Sequence, residues 1–166
     1  MRLTDPDGLT EGSPDNLKKR QQVNENAKRH DGSTAWAVGA KKDDVPAGQN
    51  KCSKFVNDTL KESGAPASVT TVDGKVRPPT AGELGNKDSK VSDWRVLGPS
   101  EKPEPGDVAA IKFTGGTVGA TGHTGIVVDD GKGGVAHISA HHDTVSTAPD
   151  AFSGNTKTVY RRYTGD

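Results

Sequence analysis

The apolar residues of this chain repeat with two different periods, and the change of period divides the chain into a helical part and a strand-rich part. One face of a helical period over residues 52–60 collects Cys52, Phe55, Val56, Thr59 and Leu60. Asn50 is suited to the N-cap position, and Gly64 with Pro66 marks the end of this helix. From Gly106 onward the period becomes two. Helices followed by strands predict an α+β fold.

The strand-rich part contains four short runs of β-branched, aromatic and small apolar residues. They are Val108–Phe113, Thr124–Val128, Val135–Ala140 and Thr156–Tyr163. The segment between the second and third runs, Asp129 to Gly134, is rich in turn residues and predicts a hairpin. We therefore expect the helix that begins near Cys52 to pack on an antiparallel sheet of about four to six strands.

The N-terminal part divides into a linker and a helix. Residues 1–12 have the composition of a turn and linker. Ser13 and Pro14 suit the N-cap and N1 positions of a helix that continues to Arg29, and this helix contains few apolar residues. We expect a solvated, detachable helix over 13–30 and one folded domain over 31–166, with residues 65–105 mostly in loops.

Composition and charge exclude several classes of protein. An apolar fraction of 30% in 166 residues supports one modest core. Lys and Arg total 22, as do Asp and Glu, so no net field attracts nucleic acid or an anionic membrane. The sequence has neither a long apolar run nor the apolar region of a signal peptide at its N-terminus. We expect no nucleic-acid binding and no membrane insertion.

Cys52, the one cysteine, has two interpretations. Its position in the first turn of a helix favours the thiolate through the helix dipole and the unpaired amides, which predicts a lowered thiol pKa and a nucleophile. Cysteine is also among the most buried residue types, so Cys52 could simply complete the apolar stripe. Both interpretations stay open on the residues of the helix alone.

The predicted hairpin brings histidines to the same sheet. His123 and His137 are expected to be cross-strand neighbours on one face, as a base and its orienting partner, with Gly125 leaving room for the start of the helix. Each could also be an ordinary loop or half-buried histidine. His141 stands about 13 Å from His137 by strand rise, which is too far for a shared metal ion, so we expect no metal site.

The glycine-rich stretch over residues 115–122 precedes the second predicted strand. It lacks the Gly-Lys-Ser/Thr ending of a phosphate loop, and a strand follows it where a phosphate loop requires a helix. We therefore expect a mobile loop beside the site and no cofactor.

Three motifs together resemble a known family. They are Asn50–Val56, Pro103–Val108 and Gly122–Val128. In the same order and at similar spacing, the papain-like NlpC and CHAP peptidoglycan hydrolases carry a Cys-Ser-x-Phe-Val helix, a Pro-Gly-Asp turn into the sheet and a Gly-His-x-Gly-Ile strand. The resemblance covers roughly residues 45–142 and implies covalent amide hydrolysis without metal or cofactor.

The resemblance also implies roles for individual residues. Cys52 matches the nucleophile, His123 the general base and His137 the third member of the NlpC-like form, with His141 and His142 as alternatives because the CHAP-like form puts its polar residue further on. The residues implied for the substrate groove or the oxyanion site are Asn50, Ser53 and Gly122. Lys54 stands where glycine is common in the NlpC-like helix.

A second resemblance lies at the N-terminus, in the run Thr4–Leu9. It is similar to the Asp-Pro-x-Gly-Leu signature that closes the core of Rhs-type polymorphic toxins. This implies an effector that leaves an Rhs carrier, is delivered by type VI secretion without a signal peptide to the periplasm of a target bacterium, and is neutralised there by a cognate immunity protein.

Three hypotheses of function follow. The first is an antibacterial amidase or endopeptidase acting on peptidoglycan. The second uses the same Cys/His pair on a cytosolic protein, as a protease, deamidase or transglutaminase. The third is a non-catalytic binding module in which Cys52 is a structural residue.

Overall fold

Three helices and eight strands lie in the part of the chain that the computed structural model describes, residues 13–115 and 120–165. The helices are α1 (Pro14–Arg29), α2 (Cys52–Glu62) and α3 (Ala81–Leu84). The strands are β1 (Val69–Thr70), β2 (Val76–Arg77), β3 (Trp94–Val96), β4 (Val108–Lys112), β5 (Gly122–Asp129), β6 (Val135–Ala140), β7 (Val145–Ser146) and β8 (Val159–Tyr163). Within these ranges no helix is both long and apolar enough to cross a bilayer.

Two sequence predictions fall wholly or partly outside the described residues. One is the linker over residues 1–12, with its Thr4–Leu9 run. The other is the glycine-rich loop, of which residues 116–119 lie outside.

The α+β architecture is confirmed, with a helix packed on an antiparallel sheet of six strands within the described residues. The strand order is β3-β8-β4-β5-β6-β7, and β1 and β2 form a separate two-stranded ribbon. The predicted hairpin forms between β5 and β6, with Asp129 opposite Val135. Strands β4 and β5 therefore occupy the centre of the sheet, where both edges of each are paired.

The observed strand boundaries differ from the predicted ones by a few residues, where a strand meets a turn. β6 has the predicted ends, and β5 is longer at both ends than the run Thr124–Val128. β8 begins at Val159 rather than Thr156, because the Thr158 hydroxyl donates to the carbonyl of Phe152 and closes a turn before the strand. The segment predicted as loop over residues 65–105 contains β1, β2, β3 and α3. The N-cap residue of α3 is Thr80, which forms a capping box with Glu83.

The alternation of side chains gives the sheet two different faces. The face toward α1 and α2 carries the main core, to which β4, β5 and β6 contribute Val108, Ala110, Ile126, Val128, Ile138 and Ala140. The opposite face carries a second cluster, made by Ala109, Ile111, Val127 and Phe152, with Tyr160 packed against it. Both faces are therefore covered, and the odd-numbered positions of β5 point away from the helices.

The expectation that α1 is a solvated, detachable helix is wrong. Val23 and Ala27 are fully buried in the main core. Gly106 has φ +94°, and a Cβ there would lie 2.3 Å from the carbonyl oxygen of Arg20, so only glycine lets the Pro-Gly-Asp turn meet α1 so closely. The sequence pattern misled because polar residues share the buried face: Asn16 and Asn26 donate hydrogen bonds to Thr164 and Ser63.

Replacing Val23 by Ala should lower the free energy of unfolding by roughly 1.5–3 kcal/mol, because a fully buried side chain loses its apolar contacts. The matched control is Glu25→Ala, at an exposed position on the same helix, which should change it by less than about 0.5 kcal/mol. Urea unfolding measures both. Equal effects of the two substitutions would contradict the assignment of α1 to the core.

Candidate active site

The start of α2 is held from both sides. Lys51 is the N-cap residue, with φ −122°, so the predicted cap at Asn50 is wrong by one position. Asn50 still serves the helix start, since its Oδ1 accepts a hydrogen bond from the amide of Cys52 at 3.2 Å. The buried Lys51 ammonium donates to the carbonyls of Ala37, Val38 and Gln49. The irregular segment before α2 is thereby fixed to the helix start.

The Cys52 thiol is buried, with 4% of the residue exposed. Its Sγ lies 3.9 Å from the carbonyl oxygen of Gly122, the first residue of β5. Burial raises the pKa of the Cys52 thiol, and the backbone amides of Thr124 and Ser53 oppose that shift. The predicted lowering of the pKa at a helix start is therefore wrong in direction, because desolvation outweighs the amides.

The sulfur meets the edge of β5 beside His123. Gly122 and Thr124, whose backbone groups face Sγ, are the two chain neighbours of His123. The ladder between β5 and β6 runs from Ile126 to Asp129, so α2 reaches β5 just beyond the end of that ladder. Position 122 has no room for a side chain, because a Cβ there would lie 2.3 Å from the carbonyl oxygen of Ile111. On the β5 side, the contact with the Cys52 sulfur is therefore made by backbone atoms.

The His123 ring is held on one face and at one edge. Its plane is stacked on Phe152, with 5.3 Å between centroids and 6° between planes. Its Nε2 lies 3.1 Å from Ser139 Oγ, and the same oxygen lies 3.1 Å from Nε2 of His141. Burial and the neighbouring His141 lower the pKa of His123 to about 4. His123 is therefore a neutral imidazole near pH 7.

His137 does not lie beside His123, so the predicted cross-strand pair is absent from the described residues. In the observed register His137 is opposite Val127, four residues from His123 and about 13 Å along the strand. His137 Nδ1 instead lies 3.1 Å from Asp150 Oδ2, and Nε2 lies 2.9 Å from the hydroxyl of Tyr160. Its ring contacts Phe152 at 5.5 Å, as the ring of His123 does at 5.3 Å.

Of the two alternative histidines, His141 lies near His123 and His142 does not. His141 comes close to His123, with ring centroids 5.6 Å apart, and reaches it through Ser139. His142 is exposed and pairs with Asp143 at 2.8 Å. Among the residues that the structure describes, no group of three or more His, Cys, Asp or Glu side chains is arranged to hold a metal ion.

Two contacts that complete the site were not predicted from the sequence. Ser139 lies on the same predicted face of the third strand run as His137, two residues further along. A hairpin pairing shifted by two residues from the expected one would therefore have predicted Ser139, rather than His137, as the neighbour of His123. The contact of Phe152 with His123 could not be predicted from the sequence pattern, because Phe152 lies outside the predicted strands. Gly125 also has a different role from the expected one. A Cβ there would lie 2.6 Å from the carbonyl oxygen of Ile138, 3.0 Å from Cβ of Ser139 and 3.1 Å from Cε2 of Phe152, so the missing side chain makes room for β6 and Phe152 and not for the helix start.

The remaining predicted residue, Ser53, lies on the outer side of α2. It lines a cleft of about 510 Å³ between α2 and the segment Pro78–Thr80. Among the described residues, no hydrogen bond joins Cys52 to His123, and Nδ1 of His123 accepts none. The structure therefore brings the Cys52 thiol to the backbone of β5 and the Ser139 hydroxyl of β6 to the His123 imidazole, while the thiol is hydrogen-bonded to the carbonyl of Gly122.

No protein-family model matches this chain, and neither a curated protein nor a solved structure matches it.

The stability of the protein should fall as the pH is lowered from about 6.5 to about 4. His123 has a pKa of about 4 in the folded chain against 6.5 for a free histidine, so over this interval the unfolded chain binds the additional proton. Urea unfolding at several pH values should show a smaller decline for His123→Asn than for the wild type. The control His142→Asn, at an exposed position, should follow the wild type. Parallel declines in all three proteins would contradict a buried neutral His123.

Proposed function

We propose that this chain is a papain-like cysteine hydrolase that cleaves amide bonds in the stem peptides or cross-links of bacterial peptidoglycan. The observation that carries the proposal is the contact of Cys52, at a helix start, with the backbone on either side of His123, whose Nε2 meets a hydroxyl. The three motifs of the NlpC and CHAP families occur here in the families' order. The α+β architecture with a helix on an antiparallel sheet supports the same assignment.

The nucleophile of the proposed reaction is the sulfur of Cys52, and its base is Nδ1 of His123. The thiol proton leaves the Gly122 carbonyl and passes to Nδ1 as the sulfur attacks the substrate carbonyl. His123 then gives the proton to the leaving amine, and a water activated by the same imidazole releases the acyl group. Ser139 Oγ, at Nε2, takes the orienting position that the sequence assigned to His137.

The pKa directions favour general-base catalysis over a preformed ion pair. Burial raises the pKa of Cys52, and burial and His141 lower that of His123 to about 4, so both groups are neutral near pH 7. The proton therefore moves during attack, when the substrate carbonyl develops negative charge. The amide of Cys52, which donates to Asn50 Oδ1 at 3.2 Å in this structure, is the proposed hydrogen-bond donor to that developing charge.

The proposed biological role is that of an interbacterial toxin. The support is the Thr4–Leu9 run with its resemblance to the end of an Rhs core. In this role the Rhs carrier and the type VI apparatus deliver the domain to the periplasm of a competitor, where its substrate is the cell wall. A cognate immunity protein that covers the active site protects the producing cell.

A second candidate, the non-catalytic binding module, is favoured by one observation. Cys52 is 4% exposed and contacts a backbone carbonyl, as a structural cysteine would. In such a module, loss of the thiol changes no chemistry.

Replacing Cys52 by Ala should reduce the hydrolysis of purified peptidoglycan below detection, because the covalent intermediate cannot form. Mass spectrometry of the muropeptides released by the wild type and by the variant measures activity and identifies the bond. Glu25→Ala, at an exposed position of α1, is the control and should keep the cleavage products. Products from the Cys52→Ala protein would overturn the assignment of the nucleophile, and their absence from the wild type as well would favour the binding module.

The compartment in which the protein is toxic tests the substrate. Expression with a periplasmic signal should stop the growth of a susceptible bacterium, and expression without one should not, because peptidoglycan lies outside the cytoplasmic membrane. The Cys52→Ala protein is the control in both compartments. Cysteine-dependent toxicity confined to the cytosol would instead support a protease, deamidase or transglutaminase acting on a cytosolic protein.

A further inference from the structure

We infer that Ser139 and His141 form a hydrogen-bond chain that sets the tautomer of His123, so that His141 decides whether His123 can act as a base. This inference rests on the proposed function for its catalytic consequence, and its geometry stands independently. Ser139 Oγ lies 3.1 Å from Nε2 of His123 and 3.1 Å from Nε2 of His141. One hydroxyl thus joins two imidazoles, whose ring centroids are 5.6 Å apart.

The number of protons shared by Ser139 and the two imidazoles limits the directions that these hydrogen bonds can take. A serine hydroxyl has one proton to donate, while its oxygen can accept from other donors. Ser139 Oγ has no partner other than these two rings among the described residues, so its proton goes to one ring and the other ring donates to it. When both histidines are neutral, one of the two Nε2 atoms therefore carries a proton and the other does not. The tautomers of His123 and His141 are coupled by this constraint.

Only one of the two arrangements leaves His123 competent as a base. In the competent arrangement Nε2–H of His123 donates to Ser139, Ser139 donates to Nε2 of His141, and Nδ1 of His123 keeps its lone pair for the Cys52 proton. After that transfer the imidazolium still donates from Nε2, so the chain keeps its direction and its first bond becomes charge-assisted. In the opposite arrangement Nδ1 of His123 already carries a proton and cannot accept another.

Protonation of His141 selects the opposite arrangement. An imidazolium at His141 has a proton on both nitrogens, so its Nε2 can only donate to Ser139. Ser139 must then donate to Nε2 of His123, which moves the proton of His123 to Nδ1 by exchange with solvent. Burial and His141 lower the pKa of His123 to about 4, so above that pH its ring is neutral. In this arrangement His123 cannot act as a base even in its neutral form.

The surroundings of the two rings contain few other groups that titrate. Phe152 separates His123 from the network that His137 makes, since both rings contact it at 5.3 to 5.5 Å. The charged and titratable groups around the pair are Cys52 on α2, His137 on β6 with Asp150 and Tyr160, and the exposed pair His142 and Asp143. Among these groups His141 shares the Ser139 hydroxyl with His123, so its protonation state acts on the tautomer of His123 through that hydroxyl.

Nitrogen NMR of the full chain with labelled histidine tests the tautomer, because protonated and unprotonated ring nitrogens have different shifts. His123 should carry its proton on Nε2 at pH 8 and on Nδ1 once His141 is protonated. Replacing His141 by Gln, which accepts from Ser139 and does not titrate, should hold His123 in the Nε2–H form at both pH values. A tautomer of His123 that is constant across the titration of His141 in the wild type would overturn the inference.

Alkylation of Cys52 by iodoacetamide supplies a kinetic readout without peptidoglycan. Ser139→Ala and His141→Ala should each slow it about 10- to 100-fold at pH 8, the range for loss of a hydrogen bond to a charged group. His141→Gln should restore the rate and move the acid limb of the pH profile to lower pH. His142→Ala is the matched control, a neighbouring histidine outside the chain, and should react like the wild type. Equal rates for His141→Ala and His142→Ala would overturn the inference.

The two readouts separate this inference from the proposed function. Peptidoglycan hydrolysis by the wild type with no change of tautomer overturns the hydrogen-bond chain alone. A change of tautomer in a protein that releases no muropeptides overturns the proposed function alone. If Ser139→Ala fails to fold, the half-buried His141 position decides through its Ala and Gln variants.

Discussion

The buried carboxylate of Asp107 is the constraint on which the rest of the fold depends. Asp107 is fully buried, and its two oxygens accept from Nε and Nη2 of Arg162 at 3.0 and 2.9 Å. Burial raises the pKa of Asp107, and the Arg162 guanidinium opposes that shift. Removal of one partner of such a pair costs about 3–5 kcal/mol, because the other charge is left without compensation. The pair ties the turn before β4 to β8, and the adjacent Gly106 lets α1 approach the same turn.

The central position of β4 carries this constraint to the candidate site. Ile111 of β4 is paired with His123 of β5, so the ladder that begins next to Asp107 also fixes the histidine. The side-chain alternation then separates the parts of the site. The helix-facing side of β5 joins the main core, while His123 lies on the side of Phe152. Cys52 reaches the strand edge between these two faces, through the backbone on either side of His123.

Burial decides the electrostatic character of the site. A cysteine at a helix start and a histidine nearby are often described as a thiolate and an imidazolium. Here the desolvation of both groups works against charge, so the pKa of Cys52 is raised and that of His123 is lowered to about 4. In the proposed reaction a neutral pair places the demand on orientation, because Nδ1 of His123 must be free to accept the thiol proton. The stacking on Phe152 and the hydroxyl of Ser139 supply that orientation.

The sequence by itself determined the elements that depend on local patterns. The helix from Cys52 follows from its apolar period, and β6 and its hairpin follow from alternation and turn residues. Tertiary structure decided which side chains meet. The hairpin register put His137 opposite Val127 and left Ser139 for His123, because each step in register moves a residue along the strand without changing the local pattern. Burial, which no local pattern specifies, raises the pKa of the Cys52 thiol and outweighs the lowering expected from the helix dipole.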